Sequence, residues 1–256
     1  MTSSAAQTPG AALYETSGLV DQYLEFHYGP EALGVRNFPA ACVEAIMKAI
    51  GPGSRDRCLD VGCAVGRSAI ELARRFSQVD AVDYSTGFIE AAARLQRDGS
   101  LNYRVPTEGS LTVGRSISLA DLKATEIAGR ITFATADACT LPPALTDYDL
   151  AFAGNLIDRL YEPRLFLAAM GERIRAGGYL VITSPYTWLE EYTPKQFWLG
   201  GFTDDAGDSI DTLTGLTIAI GDRFELRHRE DLPFVIRETA RKHQHTVAEL
   251  TIWQRR

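Results

Sequence analysis

Leu59-Asp60-Val61-Gly62-Cys63-Ala64-Val65-Gly66-Arg67-Ser68 is the stretch on which the fold turns. An apolar run from Arg57 stops at Gly62, and a second glycine follows at Gly66. Helical periodicity then begins at once, with Ile70, Leu72, Ala73 and Phe76 able to share an inner face. A strand, a glycine turn and a helix over 67–76 are predicted. The glycines permit a tight turn and let a ligand approach the backbone closely.

The same rhythm continues downstream. Residues 78–85 read as a strand and 86–96 as a helix opened by Ser85 as N-cap. Residues 130–137, 148–155 and 178–185 read as three more buried strands. A helix is expected over 162–178, with Pro163 near its start and Gly177-Gly178 at its end. Strands alternating with helices imply parallel pairing and a doubly wound α/β sheet. Two segments break the pattern. Residues 99–129 alternate around Glu108-Gly109-Ser110 and read as a β-hairpin insertion. The last two strands, Phe224 onward and His243 onward, have no helix between them and should pair antiparallel.

The strand ends carry the chemistry. Asp60 lies at the first, Asp83 and Tyr84 at the second, and Asp137-Ala138 at the third. A carboxylate at Asp83 can accept both hydroxyls of a ribose, and Asp137 can hold an adenine amino group. A dinucleotide fold wants GxGxxG, whereas Gly62 and Gly66 make GxxxG with Asp60 two residues ahead. That is the pattern of S-adenosylmethionine (SAM) methyltransferases. In it, Gly62, Cys63 and Gly66 pass the amino-acid end of the cofactor. The expected fold is the class I, Rossmann-like seven-stranded sheet, with the strand around 249–254 inserted antiparallel. Asn155 ends the fourth strand, beside the reactive methyl, and belongs to both cofactor and chemistry.

Composition narrows the classes. The 256 residues are 45% hydrophobic with a net charge of −7, which argues against a nucleic-acid partner. No apolar run is long enough to span a membrane. Residues 1–13 read as a disordered leader ahead of one domain over 14–256, and lack the pattern of a secretory signal. Cys42, Cys58, Cys63 and Cys139 show no disulfide spacing, so a reducing cytoplasm is the expected setting. His27, His228, His243 and His245 form no metal motif, and no metal is expected.

Two segments overhang the methyl. Ser184-Pro185-Tyr186-Thr187-Trp188-Leu189-Glu190-Glu191-Tyr192-Thr193-Pro194 leaves the fifth strand with three aromatics and two adjacent carboxylates, suited to a small polar cation or zwitterion. Asp158, Arg159 and Tyr161 follow Asn155, where an Asp and an Arg can hold the amino and carboxylate groups of an amino acid. Near the N-terminus, Tyr23, His27 and Tyr28 share one stretch that an N-terminal helix would lay over the cofactor. Tyr28 is placed near the SAM carboxylate and His27 as an acceptor or base.

Together, residues 14–29, Arg36-Asn37-Phe38-Pro39, the glycine turn, Asn155 to Pro163, Ser184 to Pro194, 198–202 and 233–246 resemble the methyltransferase domain of ovothiol biosynthesis. The resemblance runs from about residue 14 to the end, and its most specific parts are the stretches at 155–163 and 184–194. It implies transfer of the SAM methyl to the side-chain ring nitrogen (π position) of 5-thiohistidine, or of 5-selenohistidine in a free-standing ovoselenol relative. In ovothiol synthesis the domain often follows a sulfoxide synthase with histidine-ligated iron, which these residues do not resemble, so a separate chalcogen-inserting enzyme is expected to supply the substrate. Tyr23, Asp158, Arg159, Glu191 and Arg237 are the expected clamp, with Tyr186 and Trp188 walling the ring. Asn155, His27 and Asp158 are the residues nearest the chemistry. The competing reading is a SAM-dependent N- or O-methyltransferase of another small polar metabolite.

Overall fold

A computed structural model describes residues 16–53 and 55–256; the expected leader at 1–13 lies outside the described residues. Two helices, α1 (Ser17–Tyr28) and α2 (Phe38–Ile50), precede β1 (Arg57–Val61), α3 (Arg67–Ala73), β2 (Gln78–Asp83) and α4 (Thr86–Asp98). A hairpin of β3 (Ser100–Glu108) and β4 (Leu111–Ser118) comes next, then β5 (Ile131–Thr135), β6 (Tyr148–Gly154), α5 (Pro163–Arg173) and β7 (Ile174–Ser184). Two-residue strands β8 (Phe202–Thr203) and β9 (Ser209–Ile210) lead to α6 (Thr212–Ile220), β10 (Phe224–Arg237) and β11 (His243–Arg255).

Seven strands form the main sheet in the order β10-β11-β7-β6-β1-β2-β5. β7, β6, β1, β2 and β5 pair in parallel, while β11 runs antiparallel to both β7 and β10. This is the class I methyltransferase topology, with the antiparallel strand where the sequence reading puts it. The hairpin of β3 and β4 stands apart as its own two-stranded sheet. It is tied to α1 by the Tyr103 hydroxyl, which donates to Glu25 at 2.7 Å.

The strands bury both faces, as a covered parallel sheet must. Cys58 of β1, Leu150 of β6 and Val181 of β7 pack toward α1 to α4 and the hairpin. Leu59 and Val61 of β1, with Leu180 and Ile182 of β7, pack on the opposite side against α5 and α6. Two helices stop short of expectation. α5 stops at Arg173 and not at Gly178, because Ile174 pairs with Tyr148 of β6 and is fully buried there. α3 stops at Ala73, where the Arg75 and Phe76 N–H groups both turn back to the Leu72 carbonyl. Helix α6 is hidden from helical periodicity by its β-branched residues. Its N-cap is Asp211, which accepts the Thr214 N–H at 2.7 Å.

Candidate active site

The order in which strands are added reverses between β1 and β6, which are parallel neighbours in the sheet although most of the α/β unit separates them in sequence. A crevice forms beyond the carboxyl ends of strands at such a switch point. A cavity of about 510 Å³ occupies it, within the roughly 300–1,000 Å³ typical of small-molecule sites. Gly62 after β1, Asp83 at the end of β2, Asp137 after β5, Asn155 after β6 and Pro185 after β7 all line it. Tyr23, Phe26 and His27 of α1 close it from above the sheet edge.

Backbone hydrogen bonds hold the glycine turn in shape. The Gly62 and Cys63 N–H groups both donate to the Val82 carbonyl, at 2.8 and 3.0 Å. The Ala64 N–H donates to Asp83 Oδ2 at 2.9 Å, and the Ser85 N–H to Asp83 Oδ1 at 2.9 Å. Gly66 adopts φ +87°, and a Cβ there would meet the Phe133 ring at 2.8 Å. Tyr28 donates its hydroxyl to the Val65 carbonyl at 2.8 Å. It therefore braces the turn from outside and does not line the cavity. Cys63 likewise faces inward: its buried thiol approaches the Ala64 carbonyl at 3.7 Å and is pushed well above its ordinary pKa by burial.

Two buried groups stand ready for polar partners. Asp60 is 1% exposed; Oδ2 accepts the Ser68 hydroxyl at 2.6 Å, and Oδ1 has no hydrogen-bond partner among the described residues. Burial, with a smaller push from the Asp83 charge, raises its pKa to about 7 against the pull of Ser68. His27 is buried too, and its Nδ1 has no partner among the described residues. Burial and the nearby Arg67 charge lower its pKa to about 3. At neutral pH it is an uncharged hydrogen-bonding group and a weak base.

On the segment after β6, Asp158 is fully buried. Its Oδ2 accepts the Thr187 N–H at 3.0 Å and Arg159 Nη1 at 2.9 Å, while Oδ1 has no partner among the described residues. Arg159 also donates to the Thr187 carbonyl at 2.9 Å and lies 4.8 Å from the Tyr192 ring centre. Asp137 accepts the Tyr161 hydroxyl at 3.0 Å and the Cys139 N–H at 2.8 Å.

The structure thus brings Tyr23, His27, Gly62, Asp83, Tyr84, Asp137, Ala138, Asn155, Asp158 and Arg159 to one cavity, with Asp60 directly behind Ser68 of its wall. It does not bring the rest of the expected clamp there. Trp188 is buried beneath the loop, donating its indole N–H to Thr212 at 2.9 Å and stacking on Trp198. Tyr186 is turned away by a 2.7 Å hydrogen bond to Glu249 of β11. Glu191 is exposed to solvent. Arg237 reaches Glu25 in a different cavity. Conversely, Tyr192, Phe26 and Phe234 line the site although sequence reasoning passed over them. Tyr192 lies in the loop that drew attention for its aromatics. No local signal marks Phe26 or Phe234.

Residues 59–182 match a family model described as a methyltransferase domain. Solved structures share the fold of this chain. The N-methyltransferase NodS from Bradyrhizobium japonicum WM9, in complex with S-adenosyl-L-homocysteine, is 16% identical with a TM-score of 0.53, over 92% of this chain and 98% of that one. Magnesium protoporphyrin IX methyltransferase (ChlM) from Synechocystis PCC 6803, with bound SAM, is 13% identical with a TM-score of 0.57, over 99% and 100%. The [4+2]-cyclase SpnF is 16% identical with a TM-score of 0.62, over 97% and 96%. None of the curated proteins matches the chain in sequence. The fold is that of SAM-dependent methyltransferases, and the cavity residues fit that cofactor: carboxylates at Asp83 and Asp137, an unpartnered Asp60 oxygen, and Gly62, where a Cβ would meet Leu156 at 3.0 Å. Among the described residues, no helix is long and apolar enough to cross a membrane, and no cluster of three or more His, Cys, Asp or Glu could hold a metal.

Proposed function

We propose that this methyltransferase transfers the methyl of SAM to the side-chain ring nitrogen, in the π position, of 5-thiohistidine or 5-selenohistidine, yielding ovothiol or ovoselenol. The observation that carries the reading is Asp158: a fully buried carboxylate with one oxygen tied and the other unpartnered, on the cavity wall. A buried anionic acceptor with an unfilled lone pair favours a ligand bearing a protonated amine or a ring N–H. Support also comes from the resemblance, because Asn155, Asp158, Arg159 and Tyr161 from one specific stretch and Pro185 and Tyr192 from the other all line this cavity.

In this reading Asp83 receives the ribose hydroxyls, Asp137 the adenine amine, and Gly62 with Ser68 and Asp60 the amino-acid end. When bound, SAM supplies a methyl on a sulfonium that departs as a neutral thioether. The chain's own task is orientation, since the nitrogen must be held about 3 Å from the methyl carbon. A thiolate or selenolate is a softer nucleophile than nitrogen, so the clamp must aim the ring. Asp158 fixes one end, and Phe26, Tyr192 and Phe234 wall the ring. His27, uncharged, offers a hydrogen bond and no competing charge.

The test is direct. Purified protein and SAM are mixed with histidine, 5-thiohistidine and 5-selenohistidine, and products are fragmented in a mass spectrometer. A ring-nitrogen methyl on a chalcogen-bearing substrate, with histidine untouched, is expected, and the rate ratio names the chalcogen. No methyl on any of the three, with the cofactor still bound, would overturn the substrate and direct the search to another small polar metabolite.

A further inference from the structure

Arg237 opens onto a second cavity of about 230 Å³, lined also by Glu25 of α1, Arg115 of β4 and His243 of β11. Phe26 and Phe38 border both this cavity and the main one. Arg115 and Arg237 come from separate elements and share one carboxylate: Arg115 Nε lies 3.3 Å from Glu25 Oε2, and Arg237 Nη1 lies 3.5 Å from Oε1. Oε2 also accepts the Tyr103 hydroxyl. Gly29 leaves room for the same carboxylate, which a Cβ there would meet at 2.7 Å, and the three donors use much of its accepting capacity.

The guanidinium groups are far from filled. Each has five N–H donors, yet among the described residues neither side chain makes a hydrogen bond or ion pair beyond Glu25. The Arg237 side chain is nonetheless only 16% exposed. The Arg115 side chain is 38% exposed, and the unpaired nitrogens of both groups keep contact with solvent, so an entering anion can reach them without displacing a protein partner. Arg36 pairs with Glu44 at 2.6 Å. Glu31, which accepts the Asn37 N–H at 3.2 Å, keeps its charge on an exposed side chain, so Arg115 and Arg237 face Glu25 as the one buried anion of the wall.

The geometry points to an oxyanion site between α1, the β3–β4 hairpin and the β10–β11 end, in which Arg115 and Arg237 bind a tetrahedral phosphate, free or at the end of a small phosphomonoester. The cavity is smaller than the roughly 300–1,000 Å³ of sites for larger organic ligands, which suits a ligand of that size.

Isothermal titration calorimetry on the full chain tests this at constant ionic strength, with inorganic phosphate in one arm and glycerol 3-phosphate in the other. Saturable binding is expected, and the tighter arm names the source. Arg237→Gln and Arg115→Gln should each weaken it about tenfold or more. Glu25→Gln should tighten it, because a competing carboxylate is gone; a merely misfolded variant would not bind more strongly. Absence of saturable heat with both anions would overturn the site. So would affinity unchanged in both arginine variants, or binding abolished by saturating S-adenosylhomocysteine, which would put the anion in the main cavity.

Discussion

The Thr183 hydroxyl donates to the Asn155 carboxamide oxygen at 3.1 Å and accepts the Asn155 backbone N–H at 3.0 Å. Thr183 is fully buried, and Asn155 holds φ +49°, so β7 fixes the orientation of a strained residue on the cavity wall. Thr183→Val keeps the shape and removes both bonds. The Asn155 N–H retains the Thr183 carbonyl at 2.8 Å, so stability should fall by only about 1 kcal/mol. The methyl-transfer rate should fall about tenfold as the carboxamide loses its orientation. A rate equal to wild type would remove Asn155 from the chemistry.

Asp158→Asn should raise KM for the histidine-derived substrate by roughly 10- to 100-fold, the worth of one charged hydrogen bond. S-adenosylhomocysteine affinity should stay the same, because Asp158 is bonded to Arg159 and Thr187 and to no residue of the glycine turn. Steady-state kinetics beside a binding titration separate the two; a loss confined to the cofactor would assign Asp158 to the wrong ligand.

Two buried groups give opposite pH dependence in the ligand-free protein. Asp60 has its pKa raised from 3.8 to about 7, so its contribution is present below about pH 4 and is lost as pH rises toward 7. His27 has its pKa lowered from 6.5 to about 3, so the unfolded chain takes up the proton first and stability is lost as pH falls below about 6.5. Each slope is at most about 1.4 kcal/mol per pH unit. Between about pH 4 and 6.5 they offset in wild type. Asp60→Asn should gain stability relative to wild type from pH 4 to 7. His27→Gln should gain relative to wild type as pH drops from 6.5 to 4. Urea midpoints across this range read both, and three parallel profiles would contradict the assignment.

Gly66 and Gly99 both have positive φ, at +87° and +73°, but only Gly66 is crowded. Alanine at Gly99 meets open space and should cost about 1 kcal/mol of backbone strain alone. At Gly66 the Phe133 contact at 2.8 Å adds overpacking of roughly 1–3 kcal/mol. S-adenosylhomocysteine affinity should drop only in the Gly66 variant, since only that residue shapes the turn behind Gly62. Equal thermal shifts and equal affinities would refute the distinction.

The legible part of the site was the part made of local signals. Gly62, Asp83 and Asp137 could be placed because each closes a short apolar strand, and strand ends on one side of a parallel sheet share one crevice. The loop after β7 was legible only as a loop rich in aromatics. Its side chains go where distant partners take them: Tyr186 to Glu249, Trp188 to Thr212, and Tyr192 alone of the three aromatics to the cavity wall. The length of α5 was misjudged for the same reason, because Ile174 leaves the helix to pair with Tyr148 across the sheet.

By itself the sequence determined the order of strands and helices from β1 to β7, the glycine turn and the carboxylates at strand ends, because periodicity, turn chemistry and spacing act over a few residues. Only the tertiary structure decided which charges meet and which are stripped of water. It put Asp158 on the cavity wall with an unpartnered oxygen, left His27 uncharged, and carried Arg237 to Glu25 in a separate cavity. Burial and long-range pairing set those states, and neither is written in the neighbours of a residue along the chain.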